Sequence, residues 1–216
     1  MKKLEEEFVI MDDENTILFF TSNRGKIAEV KAILEPYGIK VEPFNSLTEI
    51  NEIQSANLED VAADKLTKAM SNILSNSILA VMVEDAGFFI DEFGGFPGVY
   101  SSYVHKTLGI DGVLRSLVGI ENRRASFRCV IGMHIGGRNL FFTGECKGTV
   151  SSEIRGKNGF GYDPIFVPND GDGRTFAEMN LEEKGLISHR TKAIDAFKAY
   201  FDQFKQSPTS NHRNGS

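Results

Sequence analysis

Residues 17–83 alternate short apolar runs with amphipathic stretches, and this alternation constrains the fold more than any other feature of the chain. Ile17–Phe20 is apolar throughout and has the length of a buried strand. Behind it, Ser22 or Asn23 caps a stretch that repeats Ile27, Val30, Leu34 and Tyr37 at helical spacing and stops at Gly38. Ile39–Phe44 then alternates as a second strand. Asn57 opens a second helix, with Leu58, Val61, Ala62, Leu66, Ala69 and Ile73 along one face. Ile78–Val83 reads as a third buried strand, closed by Glu84 and Asp85. A strand–helix–strand–helix–strand order predicts an α/β architecture with a largely parallel sheet.

The second half of the chain changes character. Ala125–Ile135 and Leu140–Val150 flank Gly136-Gly137-Arg138-Asn139, which predicts a hairpin. With Ile135 facing Leu140, Cys129 would lie opposite Cys146, both as reduced residues. A last helix is expected from His189 to Phe204, capped by Ser188 and burying Ile194, Phe197, Phe201 and Phe204. Residues 1–15 form an acidic extension outside the core, and residues 205–216 a polar tail expected to be disordered. Nothing between them has the composition of a linker, so residues 16–204 are expected to form one domain with two lobes.

Several function classes drop out. The apolar runs fall far short of the ~20 residues that cross a bilayer, and the N-terminus lacks the apolar stretch of a secretory signal, so a cytoplasmic protein without a membrane partner is expected. Acidic residues outnumber basic ones 30 to 24, giving a formal charge of −6, the wrong bias for holding a polynucleotide. A small phosphorylated ligand needs only a few clustered cations and stays open. Two cysteines make neither a disulfide framework nor a zinc site.

Polar residues gather at the ends of the buried elements. Thr21-Ser22-Asn23-Arg24-Gly25-Lys26 lies between the first strand and the first helix. Such a turn aims free N–H groups and the positive helix end at an anion. Glu84 and Asp85 have no packing reason to follow an apolar strand, and alternation sends their side chains to opposite faces, so only one should meet a ligand. Glu52, in the loop before the second helix, offers another carboxylate, and such hard oxygens suit Mg²⁺. In Gly159-Phe160-Gly161-Tyr162-Asp163-Pro164, glycines flank aromatics able to stack on a planar ring. Lys184 and Ser188-His189-Arg190 place cations at a helix start, where they oppose the dipole unless an anion is near. Together these segments call for a phosphorylated planar ligand and a divalent cation.

Three stretches carry a family resemblance. TSNRGKIAEVKAIL resembles the opening motif of the inosine triphosphate pyrophosphatase family, the Ham1/RdgB-like nucleoside triphosphate pyrophosphatases. VEDAGFFIDEFGGFPGVYSSYV is similar to its acidic motif and proline–glycine loop, and GFGYDPIFVP with TFAEMNLEEKGLISHR to its C-terminal signature. The resemblance spans residues 16–204 in the family's order. It implies a mixed α/β fold: an elongated central mixed sheet with flanking helices, and two lobes around a nucleotide-binding cleft, usually in a homodimer. It also implies Mg²⁺-dependent hydrolysis of ITP, dITP and XTP to the monophosphate and pyrophosphate.

Carried over by position, Thr21, Ser22, Asn23 and Lys26 hold the triphosphate, and Lys65 contacts phosphate. Asp85 is the catalytic aspartate and a metal ligand, with Glu84 in support and Glu52 as the second metal ligand. Phe160, Gly161, Tyr162 and Asp163 form the base pocket, Phe160 by stacking. Lys184, His189 and Arg190 complete the contacts to base and phosphate. Three departures stand out: Ala86 where serine or threonine is common, Tyr103 where many relatives carry arginine, and Gly185 where asparagine is frequent. Two other readings remain, a housekeeping pyrophosphatase for modified pyrimidine nucleotides and a non-hydrolysing nucleotide sensor. The SHR and GFGYD segments oppose the first, and the retained acids and lysines oppose the second.

Overall fold

A computed structural model describes residues 13–44, 53–71 and 78–206. β1 (Asp13–Phe20) takes in the end of the acidic segment and leads into α1 (Arg24–Leu34). Asn23 is the N-cap, its side chain accepting from the Lys26 amide at 3.1 Å. The helix stops at Leu34 because Pro36 has no N–H to continue it, and a tight turn over Glu35–Tyr37 carries Tyr37 out to solvent. Tyr37 therefore does not extend the apolar stripe as its spacing predicts. Gly38, at φ 73°, reverses the chain into β2 (Lys40–Phe44).

α2 (Leu58–Met70) buries Leu58, Val61, Ala62, Leu66 and Ala69 as expected, whereas Ile73 lies outside the described residues. β3 (Ile78–Ile90) is followed by the short β4 (Pro97–Gly98), α3 (Ser101–Thr107) and α4 (Gly109–Ser116). β5 (Arg124–Ile135) and β6 (Arg138–Val150) form the hairpin, and β7 (Phe166–Pro168) ends the sheet. α5 (Leu181–Gly185) and α6 (His189–Gln206) close the chain. α6 buries Ile194, Phe197 and Phe201, and the Ser188 hydroxyl accepts from the Thr191 amide at its start. The side chain of Phe204 falls outside the described set.

The sheet order is β2-β1-β3-β5-β6-β7, with β4 on the far end of β3. Among the described residues, only β1 with β2 and β1 with β3 run parallel, so the parallel character is confined to the first half.

Two expectations are corrected here. β3 does not close at Val83 but continues through both carboxylates to Ile90, fully paired with β5. Partners from distant elements neutralise the acids, so charge does not end the strand. The hairpin turn is Gly136-Gly137 alone, both at positive φ, and Ile135 pairs with Arg138. That shifts the ladder by two residues, so Cys129 faces Gly144 and Cys146 faces Phe127. Both cysteines are free and buried, and burial pushes the Cys146 thiol up to about 11.

Among the described residues, two smaller hydrophobic cores lie under α2, and two larger ones flank the sheet. One packs α1 and α6 onto β1, β3 and β5 through Val30, Leu34, Phe19, Met82, Ile131 and Phe197. The other gathers Phe88, Val104, Leu117, Tyr162, Phe166 and Phe176 beyond the second half of β3. β1 pairs with β3 as far as Met82, and β4 takes up the same edge only at Phe88. The register thus leaves Val83–Gly87 with β5 on one side and, among the described residues, no partner strand on the other. This notch between the two cores is where the cleft opens. No helix among the described residues is long and apolar enough to cross a membrane.

Candidate active site

The notch widens into a cleft of about 1040 Å³, lined by every expected site residue except Glu52, which lies outside the described residues. That volume is at the upper end of the range of ligand pockets, about 300–1,000 Å³.

One end is formed by the β1–α1 turn, α2 and the middle of β3. Thr21, Ser22, Asn23 and Lys26 line it from one side, Lys65 from the other, and Asp85 from the floor. The Thr21 hydroxyl accepts from the Asn23 amide at 3.1 Å, and Asn23 caps the helix, so both side chains shape the turn. The cap takes the Lys26 amide, and the Arg24 and Gly25 amides ahead of it have no acceptor within the helix and can meet an anion. Lys65 Nζ lies 2.6 Å from Asp85 Oδ1, and Lys26 Nζ lies 3.7 Å from Glu84 Oε1. Strand alternation does split the two acids: Glu84 points to the α1 and α6 side and Asp85 to α2. Both residues line the cleft, with both Glu84 oxygens taken by Arg190.

The other end is a buried ion network. Arg190 donates to both oxygens of Glu84, Nε to Oε2 at 2.9 Å and Nη2 to Oε1 at 2.7 Å, and its Nη1 donates to Glu29. Lys184 Nζ donates to Glu29 Oε1 at 2.7 Å and to Asp163 Oδ2 at 2.6 Å. Asp163 also accepts the Phe160 amide, which fixes the glycine-rich loop. Burial alone would raise the Glu29 and Glu84 carboxyls, but nearby cations, Arg190 first, hold both below the usual range. Burial pushes the Asp163 carboxyl up against the pull of Lys184. Burial opposes the Arg190 charge as well, yet Glu84 and Glu29 hold it well above its ordinary value.

His189 differs from these neighbours. It is 3% exposed, stacks on Phe127 at 5.0 Å, and its Nδ1 has no hydrogen-bond partner among the described residues. Burial and then the Arg190 charge hold its pKa well below 6.5, so the imidazole is neutral at physiological pH. Buried polar atoms in native proteins are nearly always satisfied, so a lone one on a residue that lines the cleft calls for a partner such as a water or a ligand. Phe160 is half-buried against Gly25, where a Cβ would come within 2.3 Å of the ring, with Lys184 Nζ 5.0 Å from its centroid. Tyr162 stacks on Phe88 at 4.8 Å and donates its hydroxyl to the Ser101 carbonyl at 2.9 Å. Its ring supports the pocket from the core.

Glu29 is the residue that sequence reasoning missed. It sits three residues after Lys26 on α1, where an acid looks like an ordinary surface partner. Only the fold shows that Lys184 and Arg190, from distant parts of the chain, converge on it. Ser101 was missed as well. Its hydroxyl accepts the Phe88 amide at 2.7 Å and donates to the Gly98 carbonyl at 2.6 Å, tying the proline–glycine loop to β3. Of the three departures, Ala86 lines the cleft, Tyr103 is 69% exposed, and Gly185 borders open space.

Two groups were weighed as cation ligands. Glu84, Cys129 and His189 come within 4.8 Å of one another, but Arg190 takes both Glu84 oxygens and burial keeps Cys129 a thiol. A hard cation does not fit there. Asp85 offers a hard oxygen donor on the cleft lining, held through Oδ1 by Lys65 at 2.6 Å, and its chemistry fits one.

The Ham1 family profile matches residues 17–200. The chain belongs to the Ham1 family. A dITP/XTP pyrophosphatase of Pyrococcus horikoshii is 46% identical over 181 residues, which is 84% of this chain and 94% of that one. A dITP/XTP pyrophosphatase of Hyperthermus butylicus is 46% identical over 193 residues, covering 89% and 97%. Among solved structures, the Staphylococcus aureus Ham1 protein superposes with a TM-score of 0.72 at 30% identity, covering 88% of this chain and 99% of that one. The Ham1 fold is thus the mixed open sheet with flanking helices described above.

Proposed function

We propose that this Ham1-family chain hydrolyses non-standard purine nucleoside triphosphates, dITP, ITP and XTP, to the monophosphate and pyrophosphate. The observation that carries the reading is the buried Nδ1 of His189, without a partner among the described residues, on a cleft that also holds Asp85, Lys65 and Lys26. The names of the relatives support the same substrate class.

In this reading the triphosphate enters over the β1–α1 turn, where Ser22, the helix amides and Lys26 receive it. Lys65 exchanges Asp85 for a phosphate oxygen, which frees the carboxylate. Asp85, with Glu52 as a second ligand, would hold Mg²⁺, which would supply positive charge to the polyphosphate. Asp85 orients the attacking water toward the α-phosphorus and takes its proton. Lys26 stabilises the departing pyrophosphate. The base lies against Phe160. His189 donates from Nδ1 to the oxygen at the six-position, Arg190 brings the N–H donors left over from its carboxylates, and Asp163 Oδ1 accepts from the ring N1–H. Adenine presents an amino group and no N1–H, so these buried groups go unpaired, a mismatch worth about 10⁴-fold in discrimination. We further propose a homodimer acting in the cytoplasm, with residues 16–204 as the catalytic unit.

Product identity tests the reaction. ITP should give IMP and pyrophosphate in equal amounts, EDTA should stop release, and Mg²⁺ should restore it. Formation of IDP and orthophosphate would overturn the assignment.

A further inference from the structure

α6 begins with His189 and Arg190, so the depth at which its first turn sits on the sheet decides where both groups point. Two residues of the β5–β6 ladder, facing each other in register, make the seat: Cys129 and Gly144. The Cys129 thiol donates to the His189 carbonyl at 3.6 Å. A Cβ on Gly144 would lie 2.0 Å from that same carbonyl oxygen and 2.7 Å from the Ala193 amide nitrogen. Those atoms belong to helix backbone and cannot swing aside. Gly144 is not among the glycines with positive φ, so it serves by lacking a side chain and not by its conformation. Neither residue lines the substrate cleft.

We infer that Gly144 and Cys129 are positioning residues that set base selectivity by seating the first turn of α6. A Cβ at Gly144 forces the helix start outward by about 1 Å or more. A displacement of that size at a positioned group costs about 100-fold in rate. It also parts Arg190 from Glu84, whose two-pronged pairing tolerates little shift. The phosphate end stands on other elements and stays in place.

The inference rests on the proposed function, and one set of assays separates the two. Wild-type turnover of ITP tests the function, whereas the ratio of variant to wild type tests the seat. In Gly144→Ala, kcat/KM for ITP should fall about 100-fold, mainly through KM. Preference for ITP over ATP should drop at least tenfold, and the inhibition constant of tripolyphosphate should stay within twofold. A kcat/KM within threefold of wild type, or an equal loss of tripolyphosphate binding, overturns the seat. Cys129→Ala keeps the test decisive if Gly144→Ala does not fold. It should lower the ITP preference about threefold with unchanged tripolyphosphate inhibition, and an unchanged preference would overturn the inference. IMP binding, measured calorimetrically in the same variants, should weaken in parallel and reads the seat without turnover.

Discussion

The two ends of the cleft hold charge in opposite ways. At the base end, the side chains of Arg190, Lys184, Glu29 and Asp163 are 1%, 4%, 7% and 3% exposed and locked by multiple short bonds. At the phosphate end, Lys26 and Lys65 are 16% and 14% exposed, and Lys26 stands 3.7 Å from its acid, beyond hydrogen-bond range. A buried network cannot reorganise without stranding a charge. The lysines at the other end are less deeply buried, although Lys65 stays 2.6 Å from Asp85. The division is thus between a locked end, which in the proposed reading identifies the ligand, and a less deeply buried one that meets its charge. Both larger cores brace the locked end, α6 and α1 from one and the loop around Tyr162 from the other.

The sharpest way to break this division is at the phosphate floor. Asp85→Asn should cut kcat at least about 1,000-fold, roughly 4 kcal/mol of barrier, with an unchanged urea midpoint. A loss under tenfold would remove Asp85 from the chemistry.

Glu29→Gln should do the reverse and strike stability first. Removing one partner from a buried ionic network costs about 3–5 kcal/mol, read by urea denaturation. The pH dependence has a definite sign. Burial works to raise the Glu29 carboxyl, but Arg190 and Lys184 hold it below 4.5. The stability it contributes is fully present above the unfolded value and is lost as pH falls through the lower folded one. The gap between wild type and variant should therefore be constant from pH 5 to 7 and narrow only below about 4.5. A gap that widens on acidification would contradict the network.

The smallest effect is expected at the support of the pocket. Tyr162→Phe removes the bond to the Ser101 carbonyl and should cost about 1 kcal/mol of stability. Turnover of ITP should stay within threefold. A larger loss of turnover would place the Tyr162 hydroxyl at the ligand.

Local rules recovered much of this fold. The Asn23 cap, the α2 stripe and the start of α6 are written in short-range spacing, and the structure keeps them. The β5–β6 hairpin was legible, but its register was not, because Arg138 and Asn139 look like turn residues while the two glycines suffice. β3 was cut short for a related reason. Acids at Glu84 and Asp85 look like a strand end until Arg190 and Lys65 arrive from 106 and 20 residues away. Glu29 was invisible for the same cause, its partners lying 155 and 161 residues off. Motif residues could be named from the sequence; the network that holds them could not.

In the proposed reading, the His189–Arg190 end of the cleft reads the six-position of a purine. Side-by-side kcat/KM values for ITP and ATP, measured by pyrophosphate release at saturating Mg²⁺, decide it. The expected preference for ITP is at least about 1,000-fold, somewhat below the 10⁴-fold that unpaired buried groups allow. Equal efficiency with ATP would contradict it.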